Sequence, residues 1–169
     1  PDFASQLSQS MARSMGAELD RAGLNGSGIA PEPLGLIGTT GIGSVTGAVI
    51  VDYSHFISAV STLLTAGVDL ATATRNVILG PAVWGKLESL VTGLTGDKSQ
   101  LVPPRAFETT QWRVTTSSPA DTAVLGDFSQ LLLGVRREAS IEVLKLDSYG
   151  ANLLLEFIGY LRADFIVTR

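Results

Sequence analysis

Cysteine is absent from this chain of 169 residues, which removes disulfides, thiolate nucleophiles, zinc-finger ligand sets and iron-sulfur clusters at once and leaves the redox compartment open. Histidine is nearly absent: any Ser-His-Asp arrangement or imidazole metal site has to be built around His55 alone. Charge is sparse as well, with 17% Asp, Glu, Lys and Arg, and the 12 basic against 16 acidic side chains give a net charge of −4. No broad cationic face exists to neutralise phosphates and release counterions, which argues against nucleic acid as the primary ligand and against sequence-specific recognition of it. No apolar run approaches the roughly 20 residues that cross a bilayer, so a transmembrane protein is excluded. Arg13, Arg21, Arg75 and Arg113 break the longer stretches. What the chain does have is 45% hydrophobic residues, enough to fold as one domain of ordinary size. It starts at Pro1 without an initiator methionine or a signal pattern and reads as a fragment or processed product with upstream residues missing.

Asp2 is placed as an N-cap, and Phe3, Leu7, Met11, Met15 and Leu19 recur every fourth residue. The spacing predicts an amphipathic helix to about Ala22, stopping at Gly23, on the order of 30 Å long at 1.5 Å per residue. A four-residue step overshoots the helical turn, so the stripe winds around the rod and can serve two surfaces, one of them on another chain. From Leu24 to Gly47 the composition turns to Gly, Pro, Ser and Thr, an irregular connector. Ala48–Val51 reads as a short strand. Asp52 or Ser54 then caps a helix with Phe56, Ile57, Val60, Leu63 and Leu64 on one face and His55, Ala59 and Thr62 on the other.

Asn76–Leu79 reads as a strand ended by Gly80-Pro81, with Pro81 opening a helix whose apolar face is Trp84, Leu87, Leu90 and Val91. A loop is expected from Gly93 to Pro104. Phe107–Ser117 and Ala123–Phe128 read as strands flanking the turn at Pro119-Ala120-Asp121, a hairpin or adjacent pair. Leu131–Leu133 and Ile141–Leu144 continue the β tendency, and Asn152–Tyr160 mixes strand and helix signals without a decisive period. The expected fold class is α+β, with helices early and strands dominant later.

The places where chemistry would sit each have a plainer account. Gly38-Thr39-Thr40-Gly41-Ile42-Gly43-Ser44 resembles a phosphate cradle in composition only: its spacing is neither G-x-G-x-x-G nor a P-loop, and a flexible connector explains it better. His55, opposite its helix's apolar face and without a G-x-S-x-G elbow, reads as a solvated imidazole. Glu138, Glu142, Asp147 and Glu156 are not fixed at a glycosidase separation. Trp84 and Trp112 fall in register with core positions, and Arg136-Arg137 beside Glu138 and Glu142 reads as an intersubunit or surface salt-bridge element. No catalytic residue, no metal ligand and no cofactor is expected, and the chain is read as not an enzyme.

Several segments, taken in order, resemble the major capsid proteins of tailed bacteriophages, the family with the Hong Kong 97-type fold, over nearly the whole chain. The opening helix, Leu24-Asn25-Gly26-Ser27-Gly28 and Pro33-Leu34-Gly35-Leu36-Ile37 resemble the family's long spine helix and the turn that follows it. Val77-Ile78-Leu79-Gly80-Pro81 with Trp84 and Leu87 is similar to its strand, Asn-Pro, Trp and Leu segment. Leu125-Gly126-Asp127-Phe128-Ser129, followed by Val135-Arg136-Arg137 and Ile141, is similar to a strand pair near the family's C-terminal end. Leu161-Arg162-Ala163-Asp164-Phe165 resembles its closing strand. Gly80 stands where Asn is common, Trp112-Arg113-Val114 replaces the usual Gly-x-Pro-Val, and the family's N-terminal arm, extended loop and terminal Pro-x-Ala-Phe have no counterpart.

The resemblance implies a peripheral domain at 1–47 and 134–161, including the spine helix, and an axial domain at 48–133 and 162–169. It implies a structural subunit of a phage or prophage virion that self-assembles as a homo-oligomer into hexamer and pentamer rings of an icosahedral shell around the genome. A scaffolding protein is a further partner such assemblies use. Assembly would occur in the host cytoplasm, with no membrane partner. Some relatives join a loop lysine to a peripheral-domain asparagine, and Asn152 lies near the comparable place, but the lysine loop is missing and the catalytic acid has no clear match. Two rivals remain: an encapsulin-like compartment shell of the same fold, and a small-molecule or nucleotide-binding enzyme using the Gly38–Ser44 loop and His55.

Overall fold

A computed structural model of the chain describes residues 3–47, 49–92, 99–145 and 155–168. Helix α1 spans Phe3–Asn25; the expected cap Asp2 lies outside the described residues. The helix does not stop at Gly23. That glycine is buried within it, and a Cβ there would lie 2.7 Å from the Phe165 ring, so its missing side chain serves packing rather than termination. The last turn closes at Gly26, whose N–H donates to the Ala22 carbonyl at 2.9 Å. Leu7, Met11, Met15 and Leu19 are half-buried along one stripe, whereas Phe3 is exposed.

The connector is irregular but not slack. A single bridge pairs Ser27 with Leu34, Gly35 N–H donates to Gly26 O at 3.0 Å, and a 3-10 turn follows at Leu36–Gly38. The strand expected at 48–51 is not formed. Val49 and Val51 are about two-thirds exposed and pair with no strand among the described residues, and β propensity without a partner ladder does not make a strand. Ala48 itself lies outside the described residues.

Helix α2 spans Ser54–Thr65; its N-cap is Tyr53, without a side-chain cap, rather than the Asp52 or Ser54 expected, and Asp52, one residue before it, accepts from Ser54 N–H at 2.8 Å. Phe56 and Val60 are its buried residues; Ile57 and Leu64 remain exposed, so the apolar arc is wider than the surface it covers. A short α3 at Leu70–Ala73, capped by Asp69, follows. Strand β1 (Asn76–Leu79) leads through Gly80 into α4 (Pro81–Glu88), where Pro81 opens the helix as expected. The face of α4 is centred on Val83 and Leu87, with buried Leu90 beyond it. Trp84 and Val91 are 45% and 48% exposed, which corrects their expected core placement. Strands β2 (Val91–Thr92) and β3 (Ser99–Gln100) pair across the segment expected as loop.

Strands β4 (Gln111–Val114) and β5 (Ala123–Leu125) are not neighbours. β1 lies between them, parallel to β4 and antiparallel to β5. The central place goes to the most apolar strand, whose Val77 and Leu79 are fully buried. The Pro119 turn instead closes over the end of β1, where Gly80 N–H donates to Thr122 O and Thr115 N–H to Leu79 O. One cluster forms the core: Tyr53, Phe56 and Val60, with Val77, Leu79, Val83, Leu87, Leu90 and Phe107. Trp112 packs against it edge-on to Phe56, ring centres 5.8 Å apart.

The two late β segments are one strand, β6 (Leu131–Lys145), paired antiparallel with β7 (Leu155–Val167) from Leu131↔Val167 to Lys145↔Leu155. The ambiguous Asn152–Tyr160 stretch is strand from Leu155; Asn152 lies outside the described residues. Helix α1 lies on this ladder. At Gly159 a Cβ would be 3.0 Å from Met15 Sδ and 3.3 Å from Met11 Cε, so the glycine leaves room for the methionine stripe.

Candidate functional surface

The chemistry-bearing residues are dispersed, and most are already engaged in building the chain's joints. At the first joint, Arg21 near the end of α1 binds Glu18 and Glu32, with N to O distances of 2.5 Å to each, and Ser27 Oγ donates to Glu32 at 2.5 Å. The Ser27 hydroxyl and then the Arg21 guanidinium hold the Glu32 carboxyl down at about 2. This clamp ties the rod to its connector. No short-range spacing announces it, because Arg21 and Glu32 meet across a turn.

The second joint is the Leu125–Ser129 motif. Gly126 sits at φ +154, a backbone conformation that side chains rarely adopt. Asp127 accepts from Ser129 N–H at 3.0 Å and from its hydroxyl at 2.6 Å, capping the 3-10 turn Phe128–Gln130 that carries the chain from β5 into β6. Those bonds lower the Asp127 pKa. A shallow cavity of about 130 Å³ beside this turn is lined mainly by apolar groups, among them Leu36, Ile42, Val124, Phe128 and Leu131. The carboxylate at its edge is spent on its own turn.

His55 is not the solvated imidazole expected. It is half-buried, its Nδ1 is buried without a hydrogen-bond partner, and a Cβ on Gly47 would fall 1.9 Å from its Nε2. The ring is wedged against the connector backbone. The first donors of the Gly38–Ser44 loop close the preceding 3-10 turn: Gly38 N–H on Gly35 O and Thr39 N–H on Leu36 O. The next helix opens only at Ser54, so no helix N-terminus meets the loop to form a phosphate cradle.

On the hairpin, Arg137 lies 4.0 Å from the centre of the Tyr160 ring, and Tyr160 also donates its hydroxyl to Glu142. Arg137 and Glu142 are 4.0 Å apart, so this arginine belongs to a surface ion pair within one chain. Glu138, Glu142 and Glu156 are exposed; Asp147 lies outside the described residues. No group of three or more His, Asp or Glu among the described residues is placed to hold a metal ion, and no described helix is long and apolar enough to cross a membrane.

The exposed surface, by contrast, carries large apolar side chains on most elements: Ile57, Leu64, Leu70, Trp84, Leu132 and Ile166 are each between 44% and 59% exposed. Compared with known families, residues 2–169 match the model of the phage capsid family. The chain belongs to that family. A solved structure from Mycobacterium phage Ogopogo superposes on this capsid chain with a TM-score of 0.58 at 20% identity, over 89% of this chain and 57% of that one. The capsid chain therefore spans little more than half of that neighbour's length. No curated protein matches by sequence. The α+β capsid fold expected from the resemblance is the observed one. Family and fold point to a structural role rather than a catalytic one.

Proposed function

We propose that this capsid chain is the structural subunit of an icosahedral phage or prophage shell, in which identical copies form hexamer and pentamer rings that close around the genome. The observation that carries the reading is the family match across residues 2–169, on a chain whose fold is that of a phage structure. The reading divides the chain into two parts. Residues 1–47 and 134–161 form the peripheral domain with the rod, and 48–133 with 162–169 form the axial domain. The β6–β7 ladder pairs residues across the 133/134 boundary, at Leu133↔Phe165 and Gly134↔Asp164, whereas the 161/162 boundary falls at a register shift between Arg137↔Arg162 and Ser140↔Tyr160. Heterologous contacts between copies close into rings when the rotation permits. A net charge of −4 suits a container that does not grip DNA through its phosphates. The subunit resides in the virion, assembles in the host cytoplasm, and uses a scaffolding protein where the shell requires one.

The test is negative-stain electron microscopy and sedimentation of the intact protein, with all sequence its gene encodes. Closed shells or rings are expected. Monomers alone, across salt and concentration and with the neighbouring phage genes co-expressed, would overturn the reading.

A further inference from the structure

The β6–β7 hairpin changes register in its middle. Over residues 131–135 against 163–167, and again over 140–145 against 155–160, the two strands advance together, residue for residue. Between those halves β6 takes five steps, from Val135 to Ser140, where β7 takes three, from Ala163 to Tyr160, so β6 carries two extra residues at two bulges. A bulge bends the strand that holds it and raises the local twist, and two this close make one bend between two straight segments. Helix α1 grips the segments differently. In one of them the Phe165 ring lies so close to Gly23 that a Cβ there would meet it at 2.7 Å, and this half is pinned. In the other, Gly159 faces the side chains of Met11 and Met15. Methionine has three rotatable side-chain bonds and repacks readily, so this half rests on a contact that can shift.

A polar cluster spans the bend on the face away from the helix. Side chains alternate along an unbulged strand, so with Gly159 and Phe165 toward α1, Tyr160 and Arg162 point the other way. The register sets Arg137 opposite Arg162, and like charges directly opposite repel. Arg137 lies instead along the ladder: its guanidinium is 4.0 Å from the centre of the Tyr160 ring, and its Nη2 donates to the Tyr160 hydroxyl at 2.5 Å. That hydroxyl donates in turn to Glu142, and Arg137 Nη2 is 4.0 Å from the same carboxylate. A residue inside the bend is thereby tied to one residue on each strand of the movable half. The Arg137 and Glu142 side chains are both more than half exposed, and charge pairs in that setting are screened and weak, so the tie can open.

We propose that the doubly bulged stretch of β6 at residues 136–139 is a bending joint of the hairpin, and that Arg137, Tyr160 and Glu142 form the latch that sets its angle. Where copies must fill both five- and six-neighbour rings, a use that rests on the capsid reading above, such a joint lets one sequence take both shapes. The absence of native cysteine allows spin-label pairs on the dispersed subunit of the intact protein. Glu156→Cys with Ile166→Cys straddles the bend on β7, at exposed positions roughly 34 Å apart at about 3.4 Å per residue. Gln9→Cys with Asp20→Cys, on the exposed side of α1, is the control. Tyr160→Phe keeps the ring beside Arg137 and removes the hydroxyl that joins the cluster. It should broaden the distance distribution of the β7 pair, read by pulsed electron paramagnetic resonance, and leave that of the α1 pair unchanged. It should also speed amide exchange at residues 136–139 by about threefold to tenfold, as for the loss of one exposed hydrogen bond. Glu142→Ala should do the same, and the double variant no more than Tyr160→Phe alone, since both act through a single contact. Distances and exchange unchanged in both variants, broadening of the α1 pair as well, or additive effects in the double variant would overturn the latch. All of this is read on the single subunit, so such a failure leaves the capsid reading standing, and a protein that forms no shells would overturn that reading without touching the latch.

Discussion

Gly35→Ala and Gly16→Ala are one chemical change and should move stability in opposite directions. At Gly35 an added Cβ would lie 2.3 Å from the backbone nitrogen of Gly26, 2.7 Å from that of Asn25 and 2.8 Å from the carbonyl carbon of Leu24. All three are main-chain atoms with no rotamer to yield, so the connector must back away from the end of α1. Relief of overpacking of this kind costs about 1–3 kcal/mol. The movement also opens Gly35 N–H to Gly26 O and Gly28 N–H to Pro33 O, bonds of 3.0 and 3.2 Å. Each such bond contributes about 0.5–1.5 kcal/mol, which brings the loss to about 2–6 kcal/mol. Gly16 sits exposed within α1 with nothing within 4 Å of its Cβ position, and alanine there should stabilise by about 0.5–1 kcal/mol through helix propensity and a less free unfolded chain. Urea unfolding of the dispersed subunit, followed by far-ultraviolet circular dichroism, measures both. A Gly35→Ala variant within about 0.5 kcal/mol of the parent, the range of ordinary surface changes, would refute the close backbone approach that fixes the connector to the rod.

Two further outcomes follow from the clamp and the core. The Glu32 carboxyl is held at about 2 against an ordinary 4.5, so its contribution is fully present above the higher value and is lost as pH falls toward the lower. Glu32→Gln should therefore lower stability at neutral pH and converge with the parent near pH 2; a difference that grows on acidification would refute the clamp. In hydrogen exchange, amides of Val77 and Leu79, fully buried on the central strand, should be the slowest, and those of β6 and β7, where no described side chain is fully buried, markedly faster. Equal protection in the hairpin would show that it is not the weaker part.

Elements that carry their own local signal were legible from sequence. The four-residue stripe of α1, the run Asn76–Leu79 and Pro81 at the start of α4 all stand where the residues put them. What failed depended on a partner distant in sequence. The 48–51 strand has β-prone residues but no ladder to join. β4 and β5 look like a hairpin across the Pro119 turn until β1 inserts between them, an outcome that only the burial of Val77 and Leu79 decides. Gly23 looks like a helix stop because nothing local reveals Phe165 lying against it. His55 looks solvated by helical position, yet Gly47, from outside the helix, covers it.

Several carboxylates of the chain are held in local turns and joints. Asp52, Asp69 and Asp127 each accept from the backbone amide two residues on, and Glu32 is held between a hydroxyl and a guanidinium. A carboxylate used in this way keeps its charge and its geometry, which is what a joint needs and the opposite of what a general acid needs. The Leu125–Ser129 motif repeats the point: Gly126 supplies the unusual φ, Asp127 the cap, and together they turn a core strand into a hairpin strand. The residues of this motif thus set the angle at which β5 leads into β6. Beside these engaged carboxylates the surface exposes large apolar side chains, among them Ile57, Trp84 and Ile166. Such apolar surface gains most from an apolar partner, and a further copy of the same chain carries one.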